Sequence, residues 1–156
     1  TVAECGGEQV NAMDNYRAPD FHKDKWYVTH VSKVTDPTEC RTLTATNSAD
    51  GKTFTVENSV GEEESQKNTC VGHEEAANKL SFTCKVGNQV VAKSILITVA
   101  TDYKDYALIY ICSTPTGRSP MNPYLIARRK PDDNIPEALK ELTKGKDFKK
   151  CSDLTK

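Results

Sequence analysis

Cys5, Cys40, Cys70, Cys84, Cys112 and Cys151 run almost end to end along this chain, and their spacing restricts the fold more than any other feature. No two stand in the C-x-x-C spacing of a zinc knuckle or a redox motif, which argues against metal binding and thioredoxin-like chemistry. An even count spread widely through a small chain predicts three disulfides formed in an oxidising compartment, and so a secreted, covalently stapled domain. Six cysteines admit fifteen pairings, and spacing alone selects none of them.

At 156 residues the chain is expected to form a single domain over 1–156, with a true core. No apolar run is long enough to span a bilayer as a helix, and the opening Thr1–Cys5 is expected to be a mature terminus with no leader attached. Twenty-one Lys+Arg against 22 Asp+Glu leave a formal net charge of −1. That balance argues against a nucleic-acid partner, because phosphate neutralisation needs clustered, unopposed positive charge. The acidic run Glu62–Glu64 reads as a solvated hairpin end, and Arg128–Lys130 is too short for a polyanion patch.

Most of the chain reads as strands. Lys25–Lys33 and Arg41–Ala45 are rich in β-branched and aromatic residues. Asp50-Gly51 predicts a two-residue type I′ hairpin, whose central positions both need positive φ. Lys52–Val60 follows, with Phe54, Val56 and Asn58 alternating against Thr53, Thr55 and Glu57. A weaker strand surrounds Cys70. Leu80–Val86 turns at Gly87-Asn88 into Gln89–Ala100, and Tyr106–Ser113 and Tyr124–Arg129 complete the set. Asn134, Pro136, Ala138, Leu139, Leu142 and the stop at Gly145 predict one C-terminal helix, and a weak turn lies between Gln9 and Tyr16. Eight short antiparallel strands and one helix predict an all-β, up-and-down barrel, which at that strand number either fills its interior or holds one small ligand.

Three ordered motifs carry a family resemblance. Phe21–His30 contains Trp-Tyr-Val-Thr-His and is followed by Cys40-Arg41; Ala100–Cys112 and Tyr124–Lys130 come later. Together they resemble the salivary lipocalins of blood-feeding triatomine bugs, the triabin, pallidipin and nitrophorin group. The likeness implies an eight-stranded lipocalin barrel in which Arg129 packs against Trp26. It also implies the pairings Cys5–Cys112, Cys40–Cys151 and Cys70–Cys84, as in the triabin-like branch. Closing the roughly 15-residue Cys70–Cys84 loop would stabilise by about 3 kcal/mol in the chain-entropy model. One departure stands at the barrel base, where Lys25 precedes Trp26 in place of the usual Gly-x-Trp.

Catalysis is not expected. His22, His30 and His73 sit in different elements, and no nucleophile signature such as G-x-S-x-G occurs. Haem is not expected either. Nitrophorins hold iron through a strand histidine, and the matching stretch, Glu57–Ser59, has none. No cofactor and no metal are therefore expected.

What remains is capture of a small molecule in the barrel mouth. Alternation places Tyr27, Thr29, Val31 and Lys33 on one face, with Arg41 and Leu43 on the next strand. Ala107, Ile109 and Ile111, with Leu125 and Ala127, would line the later strands. A one-residue slip exchanges them for Tyr106, Leu108 and Tyr110, or for Tyr124, Ile126 and Arg128. The candidate ligand-binding set is Arg41, Arg128, Tyr27, Thr29, Lys33, Leu43, Ile109, Tyr110, Tyr124 and Leu125. Each has a plainer reading, with the arginines turned to solvent and the tyrosines packed. An aliphatic wall with tyrosines and arginine suits an amphipathic anion, and pallidipin-like members, which the Cys40-Arg41 pair resembles, bind eicosanoids. The expectation is a monomeric, secreted salivary scavenger of a lipid mediator such as a cysteinyl leukotriene or thromboxane, without nucleic-acid or membrane partners. Two alternatives stand beside it: capture of biogenic amines or adenine nucleotides, and inhibition of a coagulation or contact-pathway protease through the outer surface, a mode that triabin's likeness suggests.

Overall fold

A computed structural model describes residues 10, 13–33, 40–59, 68–76, 79–117 and 119–154, the side chains of 59 and 76 excepted. The expected strands form in order: β1 (Lys25–Val31), β2 (Thr42–Asn47), β3 (Thr53–Ser59), β4 (Asn68–Ala76), β5 (Lys79–Val86), β6 (Gln89–Thr101), β7 (Tyr106–Pro115) and β8 (Tyr124–Arg128). Each pairs antiparallel with the next, and β1 pairs with both β8 and β2, which closes an eight-stranded barrel. A two-residue strand, β9 (Lys149–Lys150), adds to β1 outside that circuit.

The core has two parts. Trp26, Val28, Leu43, Phe54, Leu80, Ala107, Ile109, Leu125 and Ala127 belong to the cluster inside the barrel. Leu108, Tyr110, Cys112, Tyr124 and Ile126 lie on the outer face of β7 and β8, where Leu139, Ile135 and Phe148 from the C-terminal segment cover them. Both faces of these two strands are thus buried, which explains their nearly unbroken apolar runs. Among the register alternatives, Ala107, Ile109 and Ile111 with Leu125 and Ala127 face inward.

Several expectations need correction. The turn after β2 is longer than a type I′ hairpin. Ser48 closes it with Thr53 (2.8 Å), Gly51 donates to Ser48 O (2.9 Å), and Gly51 alone takes positive φ, at 70°. Asp50 contributes through its carboxylate, which accepts the Lys52 amide at 3.0 Å. Gly87, with φ of 61° at the first turn position, does fit a tight hairpin. The expected C-terminal helix forms but is short, a 3-10 turn (Glu137–Leu139) running into a four-residue α2 (Lys140–Thr143). Pro136 is extended and offers no side-chain cap, Leu139 is buried, and Leu142 is 44% exposed, so no apolar stripe calls for a longer helix. Two further short helices are present, α1 (Ala18–Phe21) and α3 (Cys151–Leu154).

Disulfides Cys40–Cys151 and Cys70–Cys84 are the two seen among the described residues. Cys112 is also disulfide-bonded, but its expected partner Cys5 lies outside the described residues, as does most of the weak Gln9–Tyr16 turn.

Candidate functional site

The closed end of the barrel sets the depth of everything above it. Helix α1 carries Phe21 and His22 across the base, where Phe21 stacks on Trp26 (4.9 Å) and His22 packs on Phe54 (4.6 Å) and Phe82 (6.0 Å). Trp26 Nε1 donates to Phe21 O at 3.0 Å. Arg129 lies flat over the Trp26 ring at 3.7 Å and donates to the carbonyls of Lys23, Lys25 (3.1 Å) and Tyr103 (3.2 Å). The expected Arg129–Trp26 packing is therefore present. Where Gly-x-Trp is usual, Asp24 adopts φ of 60° and accepts the Ala45 amide at 2.9 Å, so the left-handed loop survives without glycine. His22 is fully buried with Nδ1 against Ala18 O, and burial lowers its pKa to about 4.

Above this floor the lumen stays open. A cavity of about 450 Å³ occupies the other end of the barrel, within the range of small-molecule sites of roughly 300–1,000 Å³. Its wall is largely apolar: Leu43, Val56, Phe82, Val91, Ala92, Leu96, Ile111, Met121 and Leu125. Phe82 reaches across β4 because its cross-strand neighbour is Gly72; a Cβ there would stand 2.6 Å from the Phe82 ring and 2.2 Å from Ser81 O. Arg41, just before β2 at the open end, is the one charged residue lining the cavity among the described residues. Asn58, Asn68, Ser94, Ser113 and the Cys70–Cys84 disulfide add a polar arc to the same wall.

The ten candidates fall into groups. Arg41, Leu43 and Leu125 line the cavity. Ile109 faces inward but lies in the filled part of the lumen. The remaining six stand elsewhere. A β-bulge between Val28 and His30 shifts the register of β1, so Trp26, Val28 and Val31 face inward while Tyr27 and Thr29 do not. Thr29 Oγ1 instead meets His30 Nδ1 (2.8 Å) and Ile126 O (3.3 Å). Lys33 lies past the strand end and donates to Asn122 at 2.8 Å. Tyr110 and Tyr124 pack together on the outer face with ring centroids 5.1 Å apart. Arg128 is buried outside the lumen, held by Asp105 through Nε and Nη2 (3.1 and 3.0 Å) and by Asn134 O (2.8 Å). The same alternation that sends Leu125 and Ala127 inward sends Tyr124 and Arg128 outward.

Residues that the sequence reading did not single out make up most of the wall. Phe82, Leu96, Ser94 and Ser113 follow from strand alternation once register is known; the Asn58–Asn68 cross-strand pair carries no local signal of its role. Among the described residues no cluster of His, Cys, Asp and Glu could hold a metal.

The family model described as Triabin matches residues 2–142. Procalin from Hospesneotomae protracta is 34% identical over 158 residues, covering 95% of this chain and 88% of its own. Triabin from Meccus pallidipennis is 26% identical over 139 residues, covering 86% and 84%. A mutant of LTBP1 in complex with leukotriene C4 superposes with a TM-score of 0.68 at 22% identity, over 92% of this chain and 91% of that one. A biogenic amine-binding protein gives a TM-score of 0.59 at 17% identity, over 89% and 78%. At such identities the solved structures speak for the fold alone.

Proposed function

This chain belongs to the triabin family of lipocalins from triatomine bugs, and on that footing we propose that it is a secreted, non-enzymatic binding protein that sequesters a host lipid mediator. The guest is a small amphipathic anion of the eicosanoid class, such as a cysteinyl leukotriene or a thromboxane, taken up in the barrel cavity to counter haemostasis or inflammation. One observation carries the reading: an apolar cavity of about 450 Å³ whose single charged lining residue, among those described, is a cation. Arg41 at the mouth offers a planar fork for a carboxylate, while the aliphatic and aromatic wall takes the chain. Each buried methylene contributes about 0.8 kcal/mol, so a long acyl chain reaches the roughly 12 kcal/mol of nanomolar binding after losses.

An amine would need carboxylates in the wall, and the described lining holds none. A nucleotide would need further cations, whereas Lys33 and Arg128 are engaged away from the cavity. Titration calorimetry against leukotriene C4, a thromboxane mimetic, serotonin and ADP tests the reading, with heat expected only from the two lipids. No lipid heat at micromolar protein, or a prolonged plasma clotting time at the same concentration, would point to another partner. In this frame Arg41→Ala weakens the lipids by about 1.5–3 kcal/mol, the scale of a charged hydrogen bond.

A further inference from the structure

The two disulfides seen among the described residues stand in different settings. Cys40–Cys151 ties the tail to the chain before β2, and neither of its cysteines lines the cavity. Cys70–Cys84 joins directly opposed positions of β4 and β5, one inward step nearer the mouth than Gly72 and Phe82, and both of its cysteines line the cavity. Cys70 keeps 6% exposure and Cys84 3%, and both belong to the cluster inside the barrel, so the cavity is the route by which a molecule reaches their sulfurs. Each sulfur also has a polar neighbour. Asn58 Nδ2 points at Cys70 Sγ from 3.8 Å, and Ser94 Oγ lies 4.0 Å from Cys84 Sγ. Ser94 is shared, since it donates to Ser113 Oγ at 3.1 Å, which leaves the amide of Asn58 as the better committed donor. Arg41 adds a cation to the same wall, and no carboxylate stands among the described lining residues. A disulfide kept only as a staple has little use for these groups, because its sulfurs are weak acceptors. A thiolate is a charged acceptor, and its pKa falls beside donors and cations.

We propose that Cys70–Cys84 is a thiol-exchange site inside the cavity, which takes a small thiol as its reagent and holds it as a mixed disulfide on Cys84. The incoming thiol gives its proton to solvent and attacks Cys84 Sγ as the thiolate. The new S–S bond forms as the Cys70–Cys84 bond breaks, and the electron pair of the broken bond leaves on Cys70 Sγ. Asn58 Nδ2 meets that charge until water returns a proton. The step is redox-neutral, since one disulfide and one thiol give one disulfide and one thiol. Leaving-group pKa sets the direction, because the sulfur with the lower pKa departs faster, and the Asn58 amide gives Cys70 that advantage. The inference goes beyond sequestration. An adduct on Cys84 fills space that a guest would occupy, and a guest in turn covers the sulfurs, so the cavity holds one or the other.

Treating the intact protein with mercaptoethanol, capping released cysteines with iodoacetamide at intervals and mapping the peptides by mass spectrometry follows each bridge separately. Mercaptoethanol on Cys84 with the cap on Cys70 should appear at least about tenfold faster than any product from Cys40–Cys151. The same thiol carried on a large dextran, which cannot enter the barrel, should lose that advantage. Asn58→Leu should slow exchange at Cys70–Cys84 by about tenfold, the scale of one hydrogen bond to a charged group, and leave the rate at Cys40–Cys151 unchanged. Exchange at Cys70–Cys84 no faster than at Cys40–Cys151, or equally fast with the dextran-borne thiol, would overturn the proposal on the unaltered protein. So would an undiminished rate in Asn58→Leu. No lipid enters the series, so its failure and the failure of the lipid reading are separate results.

Discussion

Asp24 takes a left-handed backbone, φ 60°, at the loop that leads into Trp26. Asp tolerates that region better than most residues, but glycine occupies it without a Cβ penalty. Asp24→Gly should therefore raise stability by up to about 1 kcal/mol in urea unfolding, offset in part by the extra freedom of the unfolded chain. Arg129 shows the opposite balance. Its guanidinium meets a ring face and several main-chain carbonyls at once, so Arg129→Ala should cost about 2–4 kcal/mol in the same measurement. His22 sets a pH dependence. An unfolded histidine titrates near 6.5 and the buried one at about 4, so between these values the unfolded chain binds the extra proton. Its contribution is complete above roughly pH 6.5 and declines by about 3 kcal/mol as pH falls to about 4. Burial lowers the pKa of His30 too, and that group acts in the same direction. Comparing urea midpoints at pH 7 and pH 4 for the wild type and His22→Phe isolates the first effect: the variant should show a shallower loss. At this scale the sequence exposed Trp26 and Arg129 through the family motif, and it placed Arg41 beside a cysteine. It could not expose the role of Asn58, because an asparagine near a strand end reads the same whether its amide meets solvent or a sulfur.

Strand and turn assignments were legible wherever alternation is clean. Phe54 and Val56 on β3, or Leu80, Phe82 and Cys84 on β5, point inward as their spacing demands. Legibility failed at irregular points. The bulge between Val28 and His30 moves half of β1 to the other face, and nothing local in Val-Thr-His announces it. On β7 and β8 both faces are apolar, so periodicity leaves both registers open, and the structure places Tyr110, Tyr124 and Arg128 on the outer side. Gly72 is the element-level counterpart of these bulges. Its missing Cβ lets Phe82 lie across β4 and floor the cavity, and the closest obstacle to a Cβ is the backbone oxygen of Ser81. Gly72→Ala should cost about 3 kcal/mol in equilibrium unfolding and shift Phe82, read as altered lipid affinity in calorimetry. Unchanged stability and affinity together would show that the β4–β5 pair relaxes freely.

Across the whole molecule, the barrel is closed most sparingly between β1 and β2. Among the described residues three ladder pairs join them, Lys25–Tyr27 with Thr42–Thr44, and beyond these His30 and Val31 pair with Lys150 and Lys149 of β9. The Cys40–Cys151 bridge, with a sequence separation of 111, fastens that tail next to Arg41. Replacing both cysteines with serine should cost up to about 4–5 kcal/mol in the chain-entropy model, well above the roughly 3 kcal/mol of the Cys70–Cys84 loop. Hydrogen exchange at Lys149 and Lys150 should quicken in that variant while the amides of β5–β7 stay protected. The chain next to the cavity-lining Arg41 is thus held by a segment from the far end of the sequence. A ribosome that has released β1 to β8 has made every stave of the vessel but not the hoop, so the side of the container next to Arg41 becomes sound only when the tail arrives and is oxidised into place.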